Sequence, residues 1–258
     1  MKAGFYFERG GLSVNRFKIT ELGQEVFWLR DSERDHLVRV LRLSPGDLIV
    51  GFDNTGREYT GAILKIEDKS VTCRILSTDH PDVEAHTVVY IVAGLSKGEK
   101  MEWVIQKGTE LGMRGLIPLR AKRSVMQLEG SKAQERVVRW QKISSEAAKQ
   151  SHRVQEPQIF EVCAWKELAE HLPQDTQWLI PYEEEKTQRL TTILDGMEPE
   201  RPIAILIGPE GGFDQAEVTW AQEKLGAKSV SLGPRILRTE TAALATLAMV
   251  LAHYGDLG

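Results

Sequence analysis

A chain of 258 residues can hold one large or two modest domains, and its 41% hydrophobic and 27% charged content is ordinary for a soluble globular protein. No run approaches the roughly eighteen apolar residues that read as a membrane span, and Glu8 and Arg9 interrupt the start before the core of a signal peptide can form, so a cytoplasmic location is expected. The net charge of -4 argues against a polyanion partner, but residues 94–153 carry thirteen Lys and Arg against six Glu and no Asp, and there positive potential concentrates where phosphates can dock.

In chain order, the first 76 residues read as short strands and one helix. Ser32-Glu33-Arg34-Asp35 resembles a capping box, with Leu37, Val40 and Leu41 on one helical face. The turn Ser44-Pro45-Gly46-Asp47 feeds LIVGFD, and YTGAILKI and SVTCRIL follow, rich in β-branched residues, which predicts a small antiparallel barrel or sheet. The polar stretch 77–86, with Pro81, reads as a linker. Cys73 and Cys163 have no C-x-x-C partner, so both read as buried apolar residues and no metal site is indicated.

From residue 87 strands alternate with helices. TVVYIVAGL reads as a strand covered on both faces, followed by a helix over 100–111 ended by Gly112. GLIPLRA is a second strand, and 135–151 a long basic helix. WLIPY, IAILIGP and SVSLGP are three more strands, and the last helix spans about 239–254, stopped by Gly255. This order predicts an α/β domain with a mainly parallel sheet over residues 87–258.

Three loops after strands carry the candidate chemistry. In IAILIGPEGGF, Gly208, Gly211 and Gly212 permit close approach of backbone amides to a ligand, and open α/β sheets bind ligands at the carboxyl ends of strands. The loop has neither the Lys-Ser/Thr of a Walker loop nor a G-x-G-x-x-G. SLGPRILRTETA leads into the last helix, with Thr239 or Thr241 as its expected cap. Arg235 and Arg238 precede that helix, where the macrodipole favours anions, so they invite a carboxylate, phosphate or RNA partner. WLIPYEEE supplies the third loop.

These loops, with HLVRVLRLSPGD at 36–47, KGEKMEWVIQKGTELG at 97–112 and EAAKQSHR at 146–153, occur in an order that resembles the 16S ribosomal RNA uridine N3-methyltransferases (the RsmE family) of the SPOUT superfamily, over essentially the whole chain. Gly4, before Phe5, Tyr6 and Phe7, departs from the Arg of many relatives, and Gly108 stands where relatives have a better helix former. The resemblance implies a PUA-like RNA-binding barrel over residues 1–76 and a trefoil-knotted α/β methyltransferase domain over 87–258, a knot that no periodicity foretells. It also implies a homodimer, which the nearly all-apolar ETAALATLAMVLAHY fits.

It further implies S-adenosylmethionine as cofactor, held by Ile180, Pro181 and Tyr182, by Ile207, Gly208, Pro209, Glu210, Gly211 and Gly212, and by Leu232, Gly233, Ile236, Leu237 and Thr241. The implied substrate is 16S ribosomal RNA in the 30S subunit. Attack by uracil N3 requires loss of its proton, so Glu240 as base and Arg238 as stabilising cation are the candidates beside the last loop. For RNA docking the candidates are Arg139, Lys142, Lys149 and Arg153 on the basic helix, with Lys97, Lys100 and Lys107, and Arg39 and Arg42 on the N-terminal domain. His36 and His152 read as structural rather than base-stacking. Two rivals are a small-molecule enzyme binding a nucleotide or phosphate at IGPEGG and a non-catalytic RNA-binding module.

Overall fold

A computed structural model describes residues 14–258; the expectations at residues 4–9 lie outside that range. The chain divides into two compact units, the second starting at Glu84.

The first unit contains β1 (Arg16–Lys18), β2 (Glu21–Leu22), β3 (Val26–Arg30), α1 (Asp31–Asp35), β4 (Leu48–Phe52), β5 (Glu58–Ile66) and β6 (Ser70–Asp79). Strand order is β1-β4-β5-β6-β3-β2. Every pairing is antiparallel except β1 with β4. β1 and β2 stand at opposite ends of this order yet are separated by only Ile19 and Thr20, so the sheet has to curl until its edges adjoin. Phe17, Phe27, Leu29, Ile49, Ile63, Val71 and Cys73 fill the inside of the curl.

The helix expected here starts without a side-chain cap, and after Asp35 it widens into a π-turn over His36–Val40, with the Leu41 N–H donating to His36 O at 3.0 Å. The extra residue per turn rotates the pattern. Leu37 is buried and Val38 and Leu41 pack beside it, while Val40, expected inside, is 67% exposed. The stretch 77–86 begins as the end of β6, with Asp79 paired to Glu58, and finishes with Glu84 and its neighbours in the second unit.

The second unit contains β7 (Val89–Gly94), α2 (Lys100–Leu111), β8 (Gly115–Leu119), α3 (Gly130–Gln150), β9 (Gln158–Ile159), α4 (Leu168–His171), β10 (Gln177–Pro181), α5 (Leu190–Leu194), β11 (Ile203–Ile207), α6 (Gln215–Leu225), β12 (Lys228–Val230) and α7 (Thr239–His253). The sheet runs β12-β10-β11-β7-β8-β9 with every pairing parallel.

Alternation along the strands sends Ile91, Ala93, Leu179, Ile203, Ile205 and Ile207 to one face, against α2, α3, α5 and α7. Val92, Ile117, Trp178, Ile180, Ala204 and Leu206 go to the other, against Leu168, Phe213, Val218 and Ala221. Both faces are apolar, as a parallel sheet covered on two sides requires.

α2 ends at Gly112 as expected. Gly108 inside it is a packing requirement, because a Cβ there would meet Met113 Sδ at 2.7 Å. α3 begins five residues before the expected start. The cap of α7 is Arg238 and makes no side-chain hydrogen bond, so neither Thr239 nor Thr241 caps the helix. α6 carries a capping box: Asp214 accepts from the Glu217 N–H at 3.0 Å, and the Glu217 side chain accepts from the Asp214 N–H at 2.9 Å.

Candidate active site

Because the sheet is parallel throughout, β12, β10, β11 and β7 present their carboxyl ends side by side on one edge. The chain builds outward from β7 through β8 to β9, then crosses to the other side of β7, where β10 is laid down first, β11 fills the place between β10 and β7, and β12 takes the edge, so the direction of build-up switches between β7 and β11. Ligand crevices form at such switch points. Gly94, the last residue of β7, faces the start of the glycine loop so closely that a Cβ there would lie 2.5 Å from Pro209 Cδ.

The loop after β11 is a tight turn in which Gly212 N–H donates to Pro209 O at 2.8 Å. Gly212 has φ +66° and Gly233, after β12, has φ +103°. At both, apart from the glycine and its two chain neighbours, no atom of the described residues lies within 4 Å of where a Cβ would stand. Two backbone positions that exclude ordinary side chains thus look onto open space.

Glu210 Oε1 accepts from the Lys97 N–H at 2.9 Å and from Lys100 Nζ at 3.0 Å, so its carboxylate braces the loop after β7. Partial burial works against its charge, but its own backbone N–H, Lys100 and the Lys97 N–H hold the carboxyl below its ordinary range.

The loop after β10 joins its neighbours through Tyr182, whose N–H donates to Val230 O at 3.1 Å and whose hydroxyl donates to Gln215 Oε1 at 3.0 Å. Beyond it, the Glu185 carboxylate accepts from the N–H groups of Thr187 and Gln188 and from the Thr187 hydroxyl. The Gln188 and Thr187 donors lead the causes that hold Glu185 down at about 2. The chain then runs alongside the exit of β12, where Ser231 N–H donates to Gln188 O at 2.7 Å and Arg189 pairs with Ser231.

The expected cofactor residues therefore gather on one edge, with differences in what each can offer. Ile180 and Ile207 are buried in opposite cores, so only their backbones face the loops. Pro181, Tyr182, Gly208, Leu232 and Leu237 are half-buried, Pro209 is buried, and Gly211, Gly233 and Thr241 are exposed. Ile236 is 85% exposed.

The Glu240 side chain, in the first turn of α7, makes no hydrogen bond or ion pair with the described residues, and among them its buried Oε2 has no partner. Arg238 is exposed, and no carboxylate of the described residues pairs with it. Sequence reasoning missed Gly94 and the segment 120–124. Gly94 was visible as a glycine ending an apolar strand; nothing in its own residues marked the second.

The expected RNA-docking residues of the second unit do not form one basic face. Arg153 lies beyond α3 and is 4% exposed: its guanidinium pairs with Glu84 at 2.6 Å and donates to Thr109 O and Met113 O at 2.9 Å each. It is a structural ion pair and unavailable to RNA. Lys149 is nearly buried beside Glu146, Lys107 pairs with Glu110, and Arg139 pairs with Glu102.

Lys97, Lys142, Arg39 and Arg42 remain well exposed. Between α2 and α3 runs a groove of about 700 Å³ whose lining mixes Arg139 and Lys142 with Glu110, Glu135 and Glu146. His36 sets its ring edge-on to Phe17 in the core, and His152 turns the chain at φ +61° after α3, both structural positions. Cys73 and Cys163 are buried, and burial pushes each thiol up to about 12. Among the described residues no helix is long and apolar enough to cross a membrane.

A parallel α/β unit with open glycine turns on one sheet edge, joined to a curled, mostly antiparallel unit, defines a class. Residues 83–251 match the family described as an RNA methyltransferase domain, and residues 29–76 match the RNA methyltransferase PUA domain. Similarity to individual relatives spans nearly the whole chain. The ribosomal RNA small subunit methyltransferase E of Bacillus subtilis is 36% identical over 228 residues, covering 87% of this chain and 89% of the relative. That of Mesomycoplasma hyopneumoniae is 31% identical, covering 89% of this chain and 95% of the relative.

The crystal structure of the Neisseria gonorrhoeae ribosomal RNA small subunit methyltransferase E bound to S-adenosyl methionine superposes with a TM-score of 0.81 at 30% identity, covering 93% of this chain and 98% of that one. The chain is an RNA methyltransferase. It belongs to the ribosomal RNA small subunit methyltransferase E family.

Proposed function

We propose that this protein transfers the methyl group of S-adenosylmethionine to N3 of a uridine in 16S ribosomal RNA, acting in the cytoplasm on the 30S subunit and as a homodimer. The observation that carries the reading is the row of loops at adjacent strand ends, with open space over Gly212 and Gly233. The residues present fit the cofactor. Backbone groups of Pro181 and Tyr182, of Gly208 to Gly212 and of Leu232 to Leu237 would hold it, with Leu232 and Leu237 as apolar walls. A relative of the same fold, from Neisseria gonorrhoeae, is bound to this molecule.

When bound, the cofactor supplies a methyl group already activated on a sulfonium, so the protein's task is alignment and management of one proton. Uracil N3 carries a proton at neutral pH. Glu240, with a buried oxygen that no donor among the described residues satisfies, is the acceptor. Arg238, two residues away and exposed, offsets the charge that develops on the base.

Lys97, Lys142 and Arg42, with the exposed Arg39 beside Asp35 at 3.7 Å, are the cations placed to meet phosphates. The homodimer is supported by α7. One face of that helix is buried by Ala243, Leu247, Val250 and Leu251, whereas Thr241, Met249 and Ala252 are exposed and Leu244, Ala245 and Ala248 only partly covered. The trefoil knot belongs to the same reading, in the stretch where Arg189 pairs with Ser231 ahead of α7.

The test is transfer of labelled methyl from S-adenosylmethionine to naked 16S RNA and to 30S particles, with nucleoside mass spectrometry of the product. The reading expects 3-methyluridine, formed preferentially on the particle, and loss of turnover without loss of cofactor binding in Glu240→Gln. No label in RNA overturns it. Undiminished transfer by Glu240→Gln removes Glu240 from the role of base.

A further inference from the structure

The glycine turn after β11 is held from outside by a segment of the chain that belongs to none of the three loops. Residues 120–124, directly after β8, lie across it. Lys122 pairs with Asp214 at 2.5 Å, and the Lys122 N–H donates to Glu217 Oε1 at 2.7 Å, an oxygen that also accepts from Trp165 Nε1 at 2.9 Å. Ser124 Oγ accepts from the Ala121 N–H at 3.3 Å. The segment is thereby fixed to the start of α6, which is the exit of the turn.

Arg123 is the residue this anchoring places. Its Nη1 donates to Gly211 O at 3.0 Å and reaches Phe213 O at 3.5 Å. Among the described residues no carboxylate lies within ion-pair distance of it. A Cβ on Gly211 would come within 3.1 Å of the Arg123 Cβ, so the glycine is the residue that lets the arginine lie flat on the turn. Its charge also reaches Tyr182 at the end of β10. There burial and the neighbouring Glu184 and Glu183 push the phenol up, and Arg123 opposes them.

We propose that Arg123 is a positioning residue for the methyl donor: by holding the carbonyls of Gly211 and Phe213, it fixes the course of the glycine turn against which the cofactor lies and sets its affinity. The physical basis is that each peptide plane carries one carbonyl and one N–H pointing opposite ways. The N–H groups of the same two planes are already held within the chain, Gly212 N–H by Pro209 O at 2.8 Å and Asp214 N–H by Glu217 Oε2 at 2.9 Å, so a guanidinium that engages both carbonyls locks each plane from its other side and with it the shape of the turn. The inference rests on the reading of S-adenosylmethionine as cofactor and adds a residue outside the family of loops that bind it.

Calorimetry with S-adenosylmethionine on the full-length wild type, Arg123→Met and Arg123→Lys tests it. Methionine keeps much of the stem and removes the donors; lysine returns one. Arg123→Met is expected to raise the Kd about tenfold, as loss of charged hydrogen bonds predicts, with unchanged Tm. KM for the cofactor rises while kcat at saturating cofactor stays within about twofold.

Arg123→Lys recovers part of the loss. A merely structural role would lower Tm and kcat together. Should Arg123→Met fold poorly, Arg123→Lys decides alone, with a Kd above wild type expected. Wild-type binding with unaltered Kd in both variants overturns this inference and leaves the cofactor reading intact. No binding by the wild type overturns the cofactor reading, and this inference with it.

Discussion

At the scale of single residues, close approach of backbone to backbone decides more than any side chain at the site. Gly94 has a rigid neighbour, because the contact its missing Cβ avoids is with the ring and nitrogen of Pro209 at 2.5 and 2.6 Å. Gly94→Ala is therefore expected to destabilise the protein by about 1–3 kcal/mol, the usual cost of overpacking, and to weaken cofactor binding by displacing the turn. A variant with wild-type stability and affinity, measured by denaturant unfolding and calorimetry, contradicts this.

Arg153 illustrates the opposite error. Its position in a basic stretch read as RNA contact, yet Glu84 lies far away in sequence and their buried pairing could not be read from either residue. Glu84→Ala leaves that guanidinium buried and uncompensated, and is expected to cost about 3–5 kcal/mol by denaturant unfolding. A change under about 1 kcal/mol, the range of exposed pairs, would mean the pair is solvated. The same partner problem affects Lys107, Arg139 and Lys149: composition locates charge, and only the fold tells which carboxylates meet it.

At the scale of elements, the strands and α2 were legible because their signals are local. Apolar runs bounded by Gly and Pro mark β7, β8, β10 and β11, and Gly112 marks the end of α2. α6 went unread although Asp214 and Glu217, three residues apart, form its capping box. The signal was present, in the shadow of the glycine turn just before it. The π-turn at His36–Val40 was not legible, since one extra residue per turn leaves composition unchanged while moving Val40 outside.

The loop after β10 is an element with its own pH dependence. The Glu185 carboxyl is lowered from its ordinary 4.5 to about 2 by the N–H groups of Gln188 and Thr187 and by the Thr187 hydroxyl. A group with a depressed folded pKa stabilises above its unfolded value and loses that contribution as pH falls toward the folded one. Denaturant midpoints of wild type and Glu185→Gln should therefore differ at neutral pH and converge between 4.5 and about 2. A constant gap through that window contradicts the account.

At the scale of the whole molecule, sequence pattern sufficed for a division into a small β unit and a parallel α/β unit, and for the clustering of loops on one sheet edge. It could not give the curl of the first sheet, which follows from two edge strands joined by two residues, nor the parallel pairing of β1 with β4. The segment 120–124 was equally hidden, because its bearing on the glycine turn exists only once β8 and α6 are brought together. Identity to relatives over most of the chain and the geometry of the loops lead independently to one chemistry.

The central claim is that the turns at the ends of β10, β11 and β12 form one binding site for a methyl-donating sulfonium. Calorimetric titration of the purified protein with S-adenosylmethionine, and in parallel with ATP and NAD, tests it most directly. The account predicts one S-adenosylmethionine per chain and no heat of binding from the other two. Absence of binding to S-adenosylmethionine, or equal binding of ATP, contradicts it.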